Sequence, residues 1–363
     1  MINFEITLNL YIWRFRIIMS NIIVHPILGN FKILDEIGEG SFSTVYKCKH
    51  DECDVPVAIK VLEEELPLDE SDSGSFSSQS TQPHNSNNSS LSDIDKNKIV
   101  NAFELEKRFS HPLICEGYDM FTWNNKTCLI HEMVEGETLL DHLNNFAPLE
   151  EVAIQTFLGQ LVVILNYLHN TVHVIHRDLK CENVIVDIYR NIRLIDFGFA
   201  CSSDESLHTT ICGSPAYIAP EMILNQPYDY SVDIWSLGVI VYAMAFGYLP
   251  FDDPNILNNM QSILNDEPEY PNTVSSVLID LIKRMLEKDP KKRITIEEIS
   301  QHQFFCEDPF GRNYLFDLCA FETISNEMKK SINKCLKMTP PIPRGTLSSS
   351  VPLVNPCTSL GDI

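Results

Sequence analysis

Basic residues are scarce in this sequence. Lys and Arg total 27 against 50 Asp and Glu, a formal charge of −23 over 363 residues. A protein held on nucleic acid by phosphate contacts needs clustered Lys and Arg, so that class is excluded. The 11 cysteines form no CxxC pair, so neither a zinc site nor a disulfide framework is signalled and a reducing, intracellular setting is expected. An uninterrupted apolar run is missing too. The first 27 residues are apolar, but Glu5, Arg14 and Arg16 break them up, and a membrane span needs about 20 mainly apolar residues. No basic segment leads into a clean apolar core with a cleavage site, as a secretory signal would require. Membrane contact is therefore not expected. Glycine is short as well, at 14 residues, about half the usual share, which makes its placement informative.

What is present suffices for a folded core. Hydrophobic residues make up 44% and charged residues 21%, and the length suggests two domains or one large bilobal one. Residues 1–27 are expected to be a loosely docked extension, with Met19-Ser20 as an alternative start and the ordered chain beginning near Leu28. Between about Glu63 and Asp95 there is no apolar period. Six acids fall within 63–72 and ten serines within 71–92, a composition that cannot offset the entropy of ordering, so a disordered insertion is expected there. Prolines 340, 341, 343, 352 and 356 mark a disordered tail from about 338, and 313–337 has the spacing of an amphipathic helix or two. Residues 31–62 alternate like antiparallel strands. Helical spacing dominates 150–170, 231–247, 275–286 and 296–302. A small β-rich part thus precedes a larger α-rich one.

The glycines that do occur include a pair in Ile37-Gly38-Glu39-Gly40-Ser41-Phe42-Ser43-Thr44-Val45, between two strand-like runs. A hairpin without Cβ atoms lets backbone N–H groups approach a polyphosphate. A dinucleotide fingerprint does not fit, because no helix follows and the third glycine is Ser43. Val57-Ala58-Ile59-Lys60 comes next, a lysine on an apolar strand placed to reach phosphates as a point charge. Each signal alone is weak. Downstream lie His176-Arg177-Asp178-Leu179-Lys180-Cys181-Glu182-Asn183, then Asp196-Phe197-Gly198, then Ala219-Pro220-Glu221.

In this order and at these spacings, the motifs resemble those of a eukaryotic protein kinase from about Phe31 to Phe305. The resemblance implies an α+β bilobal fold: a small antiparallel β-rich N-lobe with one main helix (about 28–133) and a larger α-helical C-lobe (about 134–305), followed by an extension over 306–363. It implies ATP and Mg²⁺ as cofactors and protein substrates bearing Ser or Thr. Asp178 would take the substrate hydroxyl's proton and Lys180 would neutralise the transferred phosphate. Asn183 and Asp196 would hold the metal. Residues 37–45, Ala58 and Lys60 would line the nucleotide, with Glu132 and Val134 offering backbone groups to the adenine. Asp233 and Arg293, the latter paired with Glu221, take structural roles.

Lys180 in the HRDLK run is the serine/threonine mark of the family. Cys212-Gly213-Ser214-Pro215 is similar to the calmodulin-dependent-kinase-like group, especially relatives of the AMP-activated kinase. That likeness places the activating phosphothreonine at Thr210, with Thr209 as the neighbour, held by Arg177 after action of an upstream kinase. Three positions depart from the pattern. The glutamate expected to orient Lys60 is replaced by Ala102, leaving Glu106 favoured over Glu104. His131 stands at the usually apolar position behind the adenine, where a neutral buried imidazole is expected. Cys181 replaces a proline. The alternative to an active kinase is a pseudokinase scaffold, and the expected location is cytoplasmic, or more broadly intracellular with the nucleus included.

Overall fold

The computed structural model describes residues 22–40, 43–52, 56–62, 93–203 and 212–306. Its contacts separate into two units, residues 22–100 with 118–132 and residues 101–117 with 133–306. Most of the expected 63–95 insertion (residues 63–92), the 313–337 helices, the tail from 338, Ser41, Phe42, Thr209 and Thr210 lie outside the described residues.

The first unit is one six-stranded sheet in the order β1-β2-β3-β4-β6-β5. Its strands are β1 (Ile22–His25), β2 (Gly29–Gly40), β3 (Ser43–His50), β4 (Pro56–Leu62), β5 (Gly117–Trp123) and β6 (Lys126–Glu132). The apolar–polar alternation read over 31–62 becomes β2, β3 and β4, paired antiparallel. Asn124 and Asn125, both at positive φ, make the two-residue turn from β5 to β6. β1 is a departure from the sequence reading. Ile22–His25 pairs with Gly29–Lys32, so the ordered chain starts upstream of Leu28. Four residues ending in His-Pro are too short a run to show alternation. Helix α1 (Asp93–Glu106) likewise begins two residues before the insertion was expected to end.

The second unit is helical. Its long members are α2 (Leu139–Phe146), α3 (Glu151–Asn166), α5 (Ser231–Phe246), α6 (Ile256–Asn265) and α7 (Ser276–Met285), with short helices α4 (Pro220–Ile223), α8 (Ile296–Ser300) and α9 (Gln303–Cys306). Polar caps start several of them. Thr138, Asn255 and Ser275 accept backbone N–H groups at α2, α6 and α7, and Thr295 with Glu298 forms a capping box at α8. α5 is buried along nearly its whole length, which explains its all-round apolar sequence. α3 runs on into a π-helical turn, Tyr167–Thr171. The span Glu151–Thr171 is long and apolar enough to cross a membrane, but two-thirds of it is buried within the unit, as a core helix is.

Around this core sit small strands that carry the chemistry-bearing loops. β7 (Glu137–Thr138), β9 (Val184–Val186) and β10 (Ile192–Leu194) form a three-stranded sheet, and β8 (Val174–Ile175) pairs with β11 (Cys201–Ser202). The link from α1 to β5 is pinned to β10 by Leu194 N–H to Leu113 O and Cys115 N–H to Leu194 O, each 2.8 Å.

Candidate active site

In the first unit, strand register alone assembles the predicted nucleotide residues. Gly38 is opposite Val45, Val45 opposite Lys60, and Lys60 opposite Leu129, one row across β2, β3, β4 and β6. Two residues along, on the same face, Lys47, Ala58 and His131 form the adjacent row. Among the described residues, a Cβ at Gly38 would meet the Val45 side chain at 3.8 Å, and one at Gly40 would meet Ser43, from 3.3 Å. Ile37 and Glu39 point outward and exposed, while Ser43 and Thr44 are buried. His131 is half-buried, as is Ala58 opposite it, rather than fully buried as the sequence suggested. Glu132 is buried at the end of β6, and Val134 follows in irregular chain.

Hydrogen bonds do the corresponding work in the second unit. Asp178 is 6% exposed, and donors surround both of its carboxylate oxygens. Lys180 Nζ lies 2.9 Å from Oδ2, and Asn183 Nδ2 donates to Oδ2 at 3.2 Å and to the Asp178 carbonyl at 2.8 Å. Ser214 donates to Oδ1 through its N–H at 2.9 Å and its hydroxyl at 3.1 Å. Lys180 Nζ also donates to Ser214 Oγ at 2.8 Å. A carboxylate held this way accepts only, with its direction fixed. Ser214 was not read as a partner of Asp178. It lies 36 positions downstream, and no local pattern links the two.

The loop that carries Asp178 is registered to α5. Asp233, fully buried, accepts the N–H of His176 through Oδ2 and that of Arg177 through Oδ1, each at 2.9 Å, and His169 Nε2 at 2.9 Å. Burial alone raises the Asp233 pKa, but the hydrogen bond and charge of His169 and the His176 backbone outweigh it, holding the carboxyl below its ordinary value. Burial lowers the pKa of His176. The backbone is strained at this point: Arg177 has φ 66° and Asp196 φ 61°, uncommon for residues with a Cβ. Gly213, at φ 92°, packs where a Cβ would come 2.6 Å from the Arg177 carbonyl, so only glycine fits there.

Asp196 accepts the Gly198 N–H at 3.1 Å. With the Asn183 amide nitrogen turned to Asp178, that side chain's oxygen and the Asp196 carboxylate are hard donors of the type Mg²⁺ takes. Arg177 donates from Nε to the Phe199 carbonyl at 2.6 Å and from a terminal nitrogen to Tyr228 OH at 3.3 Å. Near the end of α1, Glu106 is 4% exposed and packs beneath Gly117, its Oε1 3.2 Å from where a Cβ there would sit. Glu104 is exposed and pairs with Lys107 at 3.4 Å. The two glutamates thus leave opposite sides of the helix, as two residues of separation demand. Burial pushes the Cys181 thiol up to about 12, the profile of an inert structural cysteine. Arg293 and Glu221 form the expected pair, bidentate at 2.7 and 2.9 Å and buried.

Comparison with known proteins agrees with this geometry. The protein kinase domain family matches residues 31–305. SNF1-related protein kinase catalytic subunit alpha KIN12 of Arabidopsis thaliana is 35% identical over 281 residues, covering 77% of this chain and 52% of the relative. CBL-interacting protein kinase 1 of Oryza sativa subsp. japonica is 35% identical over 288 residues, 78% and 57%. Serine/threonine-protein kinase SIK2 of Gallus gallus is 33% identical over 285 residues, 78% and 32%. The chain spans about half the length of the first two and a third of the last. It belongs to the protein kinase family, with serine/threonine kinases of the SNF1-related and CBL-interacting group as its relatives.

Proposed function

We propose that the protein transfers the γ-phosphate of ATP to serine and threonine hydroxyls of protein substrates. The observation that carries this reading is the Asp178 carboxylate aimed by Lys180, Asn183 and Ser214. Asp178 accepts the proton of the attacking hydroxyl and orients it, and Lys180 offsets charge on the transferred group. Lys60 and the backbone of residues 37–45 hold the phosphates, Ala58 lines the adenine side, and Glu132 and Val134 offer backbone groups to the base. Glu106, buried where Glu104 is not, is assigned to orient Lys60. Asn183 and Asp196 supply oxygen ligands for Mg²⁺, which neutralises phosphate charge when bound.

Phosphorylation of Thr210 by an upstream kinase switches the enzyme on in this reading. A phosphate adds about −1.5 to −2 charges and pairs with Arg177. Substrate preference for upstream basic residues is weak. Glu182 is exposed, but Glu137 is engaged by His142 Nδ1 at 2.7 Å, Thr138 caps α2, and Ala243 is buried without charge. The reading also places the protein in the cytoplasm, where ATP and protein substrates are at hand.

The deciding experiment measures radiolabelled phosphate transfer to serine, threonine and tyrosine peptides, with Asp178→Asn as control. Thr210→Ala and Thr209→Ala are compared with the unaltered chain after an upstream kinase and again after phosphatase. Label on serine and threonine, abolished in Asp178→Asn and kept low in Thr210→Ala, supports the reading. Transfer unaffected by Asp178→Asn overturns it, and no transfer after activation turns the reading to a scaffold. Full activation of Thr210→Ala removes the switch alone.

A further inference from the structure

β1 and β5 stand at opposite ends of the strand order, yet one side chain joins them. His25 on β1 reaches Asp119 on β5, Nε2 to Oδ2 at 3.2 Å, and its ring lies 4.4 Å from that of Phe121 on the same strand. The sheet therefore curls until its first strand touches its last. On the other side of the ring, Nδ1 accepts two backbone N–H groups of the β1–β2 turn, Ile27 at 3.1 Å and Leu28 at 2.9 Å.

A neutral imidazole has one donor and one acceptor nitrogen. With Nδ1 accepting, the proton sits on Nε2 and is donated to Asp119. This single tautomer satisfies all three of these partners of a residue only 4% exposed. An imidazolium cannot: its Nδ1–H would face two N–H donors. His50 on β3 packs beside the same turn, with Nε2 2.6 Å from the Leu28 carbonyl, Nδ1 accepting the Glu52 N–H at 3.1 Å, and its ring 5.1 Å from Phe31 of β2. Among the described residues, the ionisable groups facing His25 are Asp119 from β5, which favours the charged ring, and His50 from β3, which opposes it. β2 contributes Phe31, which is apolar.

We propose that His25 is a proton-operated clasp: taking up a solvent proton at Nδ1 sets an N–H against the two N–H groups of the β1–β2 turn, so that the turn and edge strand β1 open and carry the charged ring into water in spite of its attraction to Asp119. Burial outweighs Asp119 and keeps the ring's pKa below its ordinary value in the fold. Because the open chain binds the proton more readily, the clasp's contribution is complete above about pH 6.5 and is lost as pH falls from there toward the folded value. Opening removes the edge partner of β2, the strand that leads into the glycine hairpin.

The test is amide hydrogen exchange of the full chain between pH 7.5 and 5.0, corrected for the intrinsic chemical rate. Peptides covering residues 22–31 report the clasp, and residues 56–62 of β4 serve as internal control. Protection of 22–31 should fall roughly tenfold per unit of pKa separation, while 56–62 holds. Asp119→Asn, lacking the carboxylate that favours the charged ring, should move the midpoint to lower pH. His25→Asn keeps an acceptor oxygen for the turn but takes no proton, so its profile should be flat. A purely structural contact would shift protection without moving a midpoint. The proposal fails if protection of 22–31 is independent of pH in the unaltered chain, or if Asp119→Asn leaves the midpoint unchanged. Should His25→Asn not fold, the Asp119→Asn midpoint and the imidazole titration of the unaltered chain decide the matter.

Discussion

The two units place their functional residues by different means. In the first, Gly38, Val45, Lys60 and Leu129 share a row because strand pairing leaves them no other place. In the second, Asp178 is placed by polar groups both near and far in sequence: Lys180 and Asn183 in its own loop and Ser214 beyond the DFG segment, with Asp233 of α5 fixing the backbone. Register tolerates a change at one position because the backbone keeps the row. A buried polar network does not, since each lost partner strands another group. Damage to the first unit should therefore appear mainly as lost activity, and damage to the second as lost activity and stability together.

The sharpest probe of that contrast pairs Lys60→Ala with Asp196→Asn. Each should lower phosphotransfer at least ~10²-fold through loss of a charge at the phosphates or a metal ligand. The melting temperature of Lys60→Ala should stay within about 2 °C, a change of no more than about 1 kcal/mol. A cooperative loss of fold in Lys60→Ala would erase the distinction. Next in size is Glu221→Gln, which leaves the Arg293 guanidinium buried without its counter-charge. A cost of about 3–5 kcal/mol is expected, read as a fall in Tm of roughly 10 °C, and an unchanged Tm would show the pair to be idle.

Ser214→Ala comes third. It removes the hydroxyl between Lys180 and Asp178 while keeping the backbone N–H bond, so kcat should drop about tenfold, the worth of one hydrogen bond to a charged group. Ser214→Thr should restore most of it. Equal kcat in all three proteins would make the hydroxyl a bystander. The smallest effect is expected from exchanging residues 63–92 for a short Gly/Ser loop, which should move Tm by no more than about 2 °C, since that composition has little apolar surface to bury. Loss of the first unit's cooperative unfolding would contradict it.

How far the sequence could be read follows the same division. β2, β3 and β4 were visible because alternation over 31–62 is a local signal, and the catalytic loop was visible because its residues are contiguous. The Asp178–Ser214 contact was not, because it joins points 36 residues apart through a turn that only Gly213 permits. β1 was missed for a related reason. Its worth lies in one histidine reaching the far edge of the sheet, and four residues carry no period. Spacing already favoured Glu106 over Glu104, and the structure adds that Glu106 is buried while Glu104 pairs with Lys107 at the surface, which no local pattern could show.

Gly213 has one more consequence. With no room for a side chain against the Arg177 carbonyl, and with Ser214 bonded to Asp178 directly beyond it, the chain from 213 onward is riveted to the catalytic loop. The peptide and hydroxyl of Ser214 thereby tie the position of the segment beyond Gly213 to the angle at which the Asp178 carboxylate is presented, so a displacement of that segment would be felt at Asp178 as a change of aim.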